Sequence, residues 1–375
     1  MSSLLTEVLT QRGHLHFLIC LPTALRHAFS LLYFLSFISL KQMHGPWPQS
    51  TDIREIRLPV TNPVLSADFP IKEEKLISLS HGDFSKSGFT VRKDREFRRP
   101  FSHVLPGRRL CSLVTHNRLG YTWVSNAQNR RITPFRDNPA SDMNGERILL
   151  SYGTKLYDLC AMARYVTFSQ GTAIYRGIAN GVLYTVTAYV SEKLCVKHCD
   201  VSLKFPKGSG ESAKLMYLVT PVMGRHTSEA LRISYSVKDN ILCFKNPFSE
   251  FFGMYTGFIT AVETDSEQPL QAAKYITDKA DIFTKGTVRH DNLCECACVA
   301  LSANRSDEYK NYRFILGAFE DEMKSPKETV TLALSEKDEM KSSVAFANSL
   351  IPVDYELDNI ITTVWVKKGD LKLQR

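Results

Sequence analysis

GTAIYRGIANGVLYTVTAYVSEKLCV, residues 171–196, decides the fold class. Two runs rich in Val, Ile, Tyr and Thr flank Asn180-Gly181, a dipeptide that tolerates the positive φ angles of a two-residue turn, so the stretch predicts a β-hairpin. The same texture continues in KLMYLVTPVM (214–223), LRISYSVKDNILCF (231–244) and MYTGFITAVE (254–263). It returns in CECACVAL (294–301), YRFILGAFE (312–320), TVTLALSE (329–336) and IITTVWVKKGDLKLQ (360–374). Short strands at this spacing argue for stacked antiparallel sheets rather than a parallel α/β sheet. The expected fold class is therefore mainly β, with one or two antiparallel β-sandwich modules after an irregular basic N-terminal region. The one helical candidate covers residues 268–282.

Outward from the hairpin, 375 residues at 43% hydrophobic content suffice for two or three domains with real cores. Changes of texture set the expected divisions: an apolar segment over 1–44, a proline-punctuated basic region over 45–148, a β-rich domain over 149–265 and an acidic β-rich domain over 266–375. The apolar run from Ala28 to Leu40, with Arg12 and Arg26 before it, fits a signal peptide or signal anchor. A buried helix, or a chain that properly starts at Met43, would explain the same residues. This segment is the one expected membrane contact.

Charge is unevenly spread. Residues 92–136 hold eleven cations, Arg92, Lys93, Arg95, Arg98, Arg99, Arg108, Arg109, Arg118, Arg130, Arg131 and Arg136, against Asp94 and Glu96. Phe97, Phe101, Tyr121, Trp123 and Phe135 are interleaved with them. Cations with aromatics suit an anionic polymer, either a sulfated glycan at a cell surface or nucleic acid. A solvated loop with ordinary core aromatics is the plainer alternative.

Catalytic signatures are missing. The chain has no GxSxG elbow, HExxH, Walker loop or GxGxxG after a strand, and the glycines of KFPKGSGESAK (204–214) lack phosphate-loop spacing. His81 and Asp83 in SHGDFS look like part of a hydrolase block that nothing downstream completes, and His226, Ser228 and Glu229 are neighbours in sequence without forming a triad. No enzyme activity and no cofactor are expected.

Nine cysteines remain. Setting aside Cys20 in the apolar segment leaves Cys111, Cys160, Cys195, Cys199, Cys243, Cys294, Cys296 and Cys298, an even number suited to disulfides. On a strand Cys294, Cys296 and Cys298 share one face, and the expected partners are Cys195 and Cys199. A zinc site built from Cys195, His198 and Cys199 with His290, Cys294 and Cys296 is the alternative, although two sulfurs of C-x-C on a flat strand lie about 7 Å apart, too far for tetrahedral zinc. Free buried thiols are the third possibility, and no metal is expected. Asn304-Arg305-Ser306 is a glycosylation acceptor on Asn304 if the chain enters the secretory pathway.

Cys243-Phe244, followed about fifty residues later by Cys294-x-Cys296, resembles part of the six-cysteine β-sandwich domain of apicomplexan surface antigens. The resemblance covers residues 243–300; Cys298 is additional and no lipid-anchor tail follows. It implies a cell-surface adhesion protein that binds a ligand without catalysis. Together these observations lead to the expectation of a secreted or cell-surface β-sandwich glycoprotein, its partner a protein or sulfated glycan. The alternative is an intracellular β-rich protein, viral or cellular, that binds nucleic acid through residues 92–136.

Overall fold

The computed structural model describes residues 75–94, 97, 100–134, 145–208, 212–264, 273–277, 296–303, 305, 308–320, 325–335, 339–357 and 360–367. In chain order the strands are β1 Lys75–Leu79, β2 Gly82–Ser85, β3 Gly88–Arg92, β4 Ser102–Leu105, β5 Leu110–Thr115, β6 Tyr121–Val124 and β7 Glu146–Tyr152. They continue with β8 Lys155–Asp158, β9 Tyr165–Ser169, β10 Thr172–Ala179, β11 Val182–Val190, β12 Val196–Lys204, β13 Ala213–Val219 and β14 Ser234–Lys238. The last are β15 Ile241–Lys245, β16 Tyr255–Glu263, β17 Ala273–Thr277, β18 Cys296–Ser302, β19 Lys310–Glu320, β20 Leu350–Leu357 and β21 Ile360–Lys367. Among the described residues, a one-turn helix α1 (Leu159–Met162), a 3-10 helix at Thr227–Arg232 and two longer helices, α2 (Pro326–Ser335) and α3 (Glu339–Ser349), complete the regular structure.

The fold is mainly β, as expected. Eleven strands form one antiparallel sheet in the order β1-β2-β3-β9-β10-β11-β12-β19-β16-β15-β14, and five form a second in the order β17-β18-β13-β7-β8. A three-stranded sheet β4-β5-β6 and the hairpin β20-β21 stand beside them. The predicted hairpin is β10–β11, closed at Ala179↔Val182, with Asn180 and Gly181 at φ of 49° and 83°. Two positive φ angles match the right-handed twist of the flanking strands.

The core lies between the two large sheets. Tyr175, Tyr184, Val186, Ala188, Cys199 and Val201 alternate inward along β10 to β12 and are sealed from solvent. From the second sheet Tyr217 meets them, its ring 5.6 Å from that of Phe314 on β19. The residues that alternate with Tyr217, namely Met216 and Leu218, face the other way and join Leu149, Cys296, Cys298 and Ala300 in a separate buried cluster.

That alternation overturns the disulfide expectation. Cys111, Cys160, Cys195, Cys199, Cys243, Cys296 and Cys298 are all free thiols, while Cys294 lies outside the described residues. Cys199 is on the large sheet facing the core, whereas Cys296 and Cys298 are on the face of the second sheet turned away from it. The zinc alternative fails on similar grounds: His198 and Cys199, adjacent on β12, point to opposite faces. Among the described residues no group of three or more His, Cys, Asp or Glu is placed to hold a metal.

Two element expectations also change. Ala273–Thr277, inside the predicted helix, is a strand paired with β18. Thr329–Ser335 of TVTLALSE belong instead to α2, which begins on a reciprocal cap: Glu328 N donates to Ser325 Oγ at 3.2 Å and Ser325 N to Glu328 Oε2 at 3.3 Å. The apolar segment 14–40, Asn304 and His290 lie outside the described residues.

Candidate functional site

The charged side chains mostly serve the fold. Arg92 and Lys75 hold Asp83 at 2.8 and 3.1 Å, Arg118 and Arg147 hold Asp158 at 3.1 and 3.2 Å, and Arg108 holds Glu192 at 2.8 Å. Arg109 reaches Glu320 at 2.8 Å, and that carboxylate also takes a short hydrogen bond from Tyr255. Lys93 donates to the carbonyls of Cys160 and Ala161, and Arg131 to those of Ala127 and Arg225. Arg130 lies over the Tyr255 ring at 5.5 Å. The described cations of the basic block thus each meet a group of the chain itself; Arg95, Arg98, Arg99 and Arg136 lie outside the described residues. Asp83 of the SHGDFS block is one of these ion-pair partners, and Glu229 receives the backbone N–H groups of Arg225 and His226 at 2.8 and 2.9 Å.

Two polar clusters are more deeply set. Between the sheets, Lys197 Nζ donates to Glu146 Oε2 at 2.7 Å, Ser112 Oγ at 2.8 Å and the Leu119 carbonyl at 2.8 Å. Glu146 also accepts from Thr122 at 2.6 Å, Thr133 at 3.1 Å and Tyr217 at 2.9 Å. Lys197 and Glu146 have no solvent exposure, and this saturated network ties three sheets together. On the opposite face of β12, Tyr189 stacks on His198 at 4.9 Å, and His198 Nε2 sits 2.8 Å from Glu339 on α3. Arg313 grips Asp200 through two bonds of 2.6 and 2.8 Å, and Tyr189 OH donates to Asp200 at 3.3 Å. Burial, with the nearby Asp200 charge, pushes the Tyr189 phenol well above its usual range. Burial would raise the Glu339 carboxyl, but His198 and Ser191 hold it below the ordinary carboxylate value.

A groove lies elsewhere on the described surface. About 800 Å³ in volume, it runs between the β2–β3 hairpin, β4, the β9–β10 turn and α3. Its apolar side is four phenylalanines, Phe84, Phe89, Phe101 and Phe168. Phe84 and Phe89 are 4.6 Å apart, and Phe89 and Phe101 5.7 Å. Phe97 and His116 pack edge-on against Phe101 and each other, and His81 packs edge-on against Phe97, so Phe101 is braced by further rings. The polar side is Ser85, Lys86, Ser102, His103, Gln170 and Asn348. Gly88 allows the hairpin to close on β9: at φ +147° a Cβ there would lie 2.1 Å from the Phe168 carbonyl oxygen.

His103 is the groove's imidazole. Its Nε2 lies 2.8 Å from the Ser169 carbonyl oxygen and its ring 5.5 Å from Phe168. Burial lowers its pKa from the usual histidine value, only partly offset by the Ser169 bond. Of the groove residues, sequence reasoning singled out Phe101 alone, as an aromatic among the cations. The remaining signal was the run of short polar residues and glycine in FSKSGF (84–89), which marks a tight turn between two phenylalanines.

Residues 87–287 match the family model described as "Glycosyl hydrolase 94, supersandwich domain". No curated protein matches the chain. Among solved structures it is similar to a bacterial glucoamylase complexed with acarbose, at 10% identity and a TM-score of 0.46, with 70% of this chain and 40% of that chain covered. A chain assigned as a kojibiose phosphorylase, from the human microbiome, aligns at 9% identity and a TM-score of 0.42, covering 70% of this chain and 38% of that one. A chain assigned as an aldose 1-epimerase of Escherichia coli K12 aligns at 8% identity and 0.36, covering 59% and 99%. The chain thus spans about 40% of the length of the first two structures. The family match overturns the resemblance to apicomplexan surface antigens, whose Cys-Phe and Cys-x-Cys elements have no disulfide framework here.

Proposed function

The chain belongs to the family of the glycosyl hydrolase 94 supersandwich domain, and from that premise we propose that it works on carbohydrate, its aromatic groove holding a sugar within a carbohydrate-active enzyme. Membership corrects the expectation of an adhesion protein without catalytic activity, and it equally disfavours the nucleic-acid alternative.

The family match carries the proposal, and the groove supports it. A sugar ring has apolar C–H faces and a polar rim, so it suits an aromatic wall beside a few directed donors and acceptors. Phe84, Phe89, Phe101 and Phe168 offer the wall, and Ser85, Ser102, His103, Gln170 and Asn348 the polar groups. Calorimetric titration of the protein with a panel of mono- and disaccharides tests it. At least one sugar should bind, and Phe89→Ala should weaken that binding about tenfold or more, the scale expected when a buried ring contact is lost. Binding unchanged in Phe89→Ala would remove the groove from the account.

A further inference from the structure

The groove reading leaves open what chooses among sugars that all present an apolar face, and His103 bears on it. A carbonyl oxygen only accepts, so the 2.8 Å contact with Ser169 fixes the hydrogen on His103 Nε2 and leaves Nδ1 as a bare lone pair in the neutral ring. Stacking against Phe168 at 5.5 Å and 35° sets the ring's orientation. Nδ1 has no hydrogen-bond partner among the described residues and is not among the sealed atoms left without one, so it keeps access to solvent in a residue that lines the groove.

We propose that His103 Nδ1 accepts the proton of one sugar hydroxyl, and so selects sugars with a free hydroxyl at the ring position above it. The inference rests on the groove holding a sugar. No covalent bond is made or broken: the neutral imidazole accepts the hydroxyl's hydrogen bond, and the protonated one, a donor at both nitrogens, reverses it by donating to the hydroxyl oxygen. The neighbours leave this titration to His103. Val114 lies opposite it on β5, with buried His116 two residues on. Ser169 and Gln170 at the β9–β10 turn and Val344 and Asn348 on α3 carry no charge, and Lys86 is the other titratable group on the groove. The lowered pKa of His103 agrees with a neutral ring near neutrality.

The test uses the sugar found in the titration panel, measured from about pH 8 to about pH 5 on the wild type, His103→Gln and His103→Phe. Gln restores one donor and one acceptor without titrating; Phe keeps the ring and removes both. Wild-type affinity should change as His103 protonates and the bond reverses, His103→Gln should bind without that change, and His103→Phe should be weaker by up to about tenfold, also without it. Nitrogen-15 shifts of labelled histidine should report the Nε2–H tautomer at neutral pH. Deoxy analogues of the bound sugar should include one that loses affinity to the wild type and none to His103→Phe. His103→Phe binding like the wild type, or no deoxy analogue that separates the two, would overturn the inference while Phe89→Ala still weakened binding. If no sugar binds the wild type at any pH, the groove itself is what fails, and the role of His103 with it.

Discussion

At the scale of single residues, the firmest expectations concern buried polar atoms. Lys197 and Glu146 are fully enclosed, and each spends its hydrogen-bonding capacity on the other and on Ser112, Thr122, Thr133 and Tyr217. Removing one partner strands a buried charge, so Lys197→Met should lower unfolding free energy by about 3–5 kcal/mol in a denaturant titration, with the Lys197→Met/Glu146→Gln pair recovering part of it. A change near zero would mean that water reaches the cluster. The thiols give a second expectation. Burial pushes Cys199 and Cys298 up to about 12, so both stay protonated and inert at neutral pH. Native alkylation should leave them unmodified, and peptide mapping should give the same map with and without reductant; a bridged peptide pair would refute this. His103 adds a pH effect of definite sign. Its folded pKa lies below the unfolded value, so its contribution to stability is complete above the unfolded pKa and is lost as pH falls toward the folded one. The wild type should therefore lose stability in that window relative to His103→Gln, as read by thermal melts.

At the scale of elements, α2 shows both what was legible and what was not. Ser325-Pro326-Lys327-Glu328 spells a helix start, with proline at the first helical position and the Ser/Glu pair closing the cap. The β-branched run TVT behind it outweighed that signal and suggested a strand, because local propensity is a weak guide where an element packs against a sheet. Val330 and Ala333 of α2 bury into a cluster with Val196, Ile241 and Ile315, which is the contact that decides the matter. Ser325→Ala should cost about 1 kcal/mol by losing the cap, measured by chemical denaturation, and no loss would mean the helix starts elsewhere. The β10–β11 hairpin was legible because its turn chemistry is local: Asn180 and Gly181 supply the two positive φ angles whatever surrounds them. The groove was not, because Phe84, Phe89, Phe101, His103 and Phe168 come from β2, β3, the approach to β4, β4 itself and β9. They meet only once the sheet places β3 beside β9, which no spacing along the chain records.

At the scale of the whole molecule, the eleven-stranded sheet draws on residues 75–92, 165–204, 234–263 and 310–320, so the groove at its β2–β3 end depends on order set far along the chain. Charge followed a different logic from the one its distribution suggests. The +8 excess is concentrated in one block, but Arg92 pairs with Asp83 on the neighbouring strand, and Arg108, Arg109 and Arg118 pair with Glu192, Glu320 and Asp158 from farther along the chain. Net charge is a statement about solvent and partners only after such pairs are discounted. The aromatic wall had no such competing use, and it carries the functional proposal on the structural side. The most direct measurement is therefore a set of intermolecular nuclear Overhauser effects between the sugar that binds and protein labelled selectively at phenylalanine. The account predicts that the sugar's ring C–H protons contact the rings of Phe89, Phe101 and Phe168, and that these contacts disappear in Phe89→Ala. Contacts confined to aromatic side chains outside the groove, such as the exposed Phe248, would contradict it.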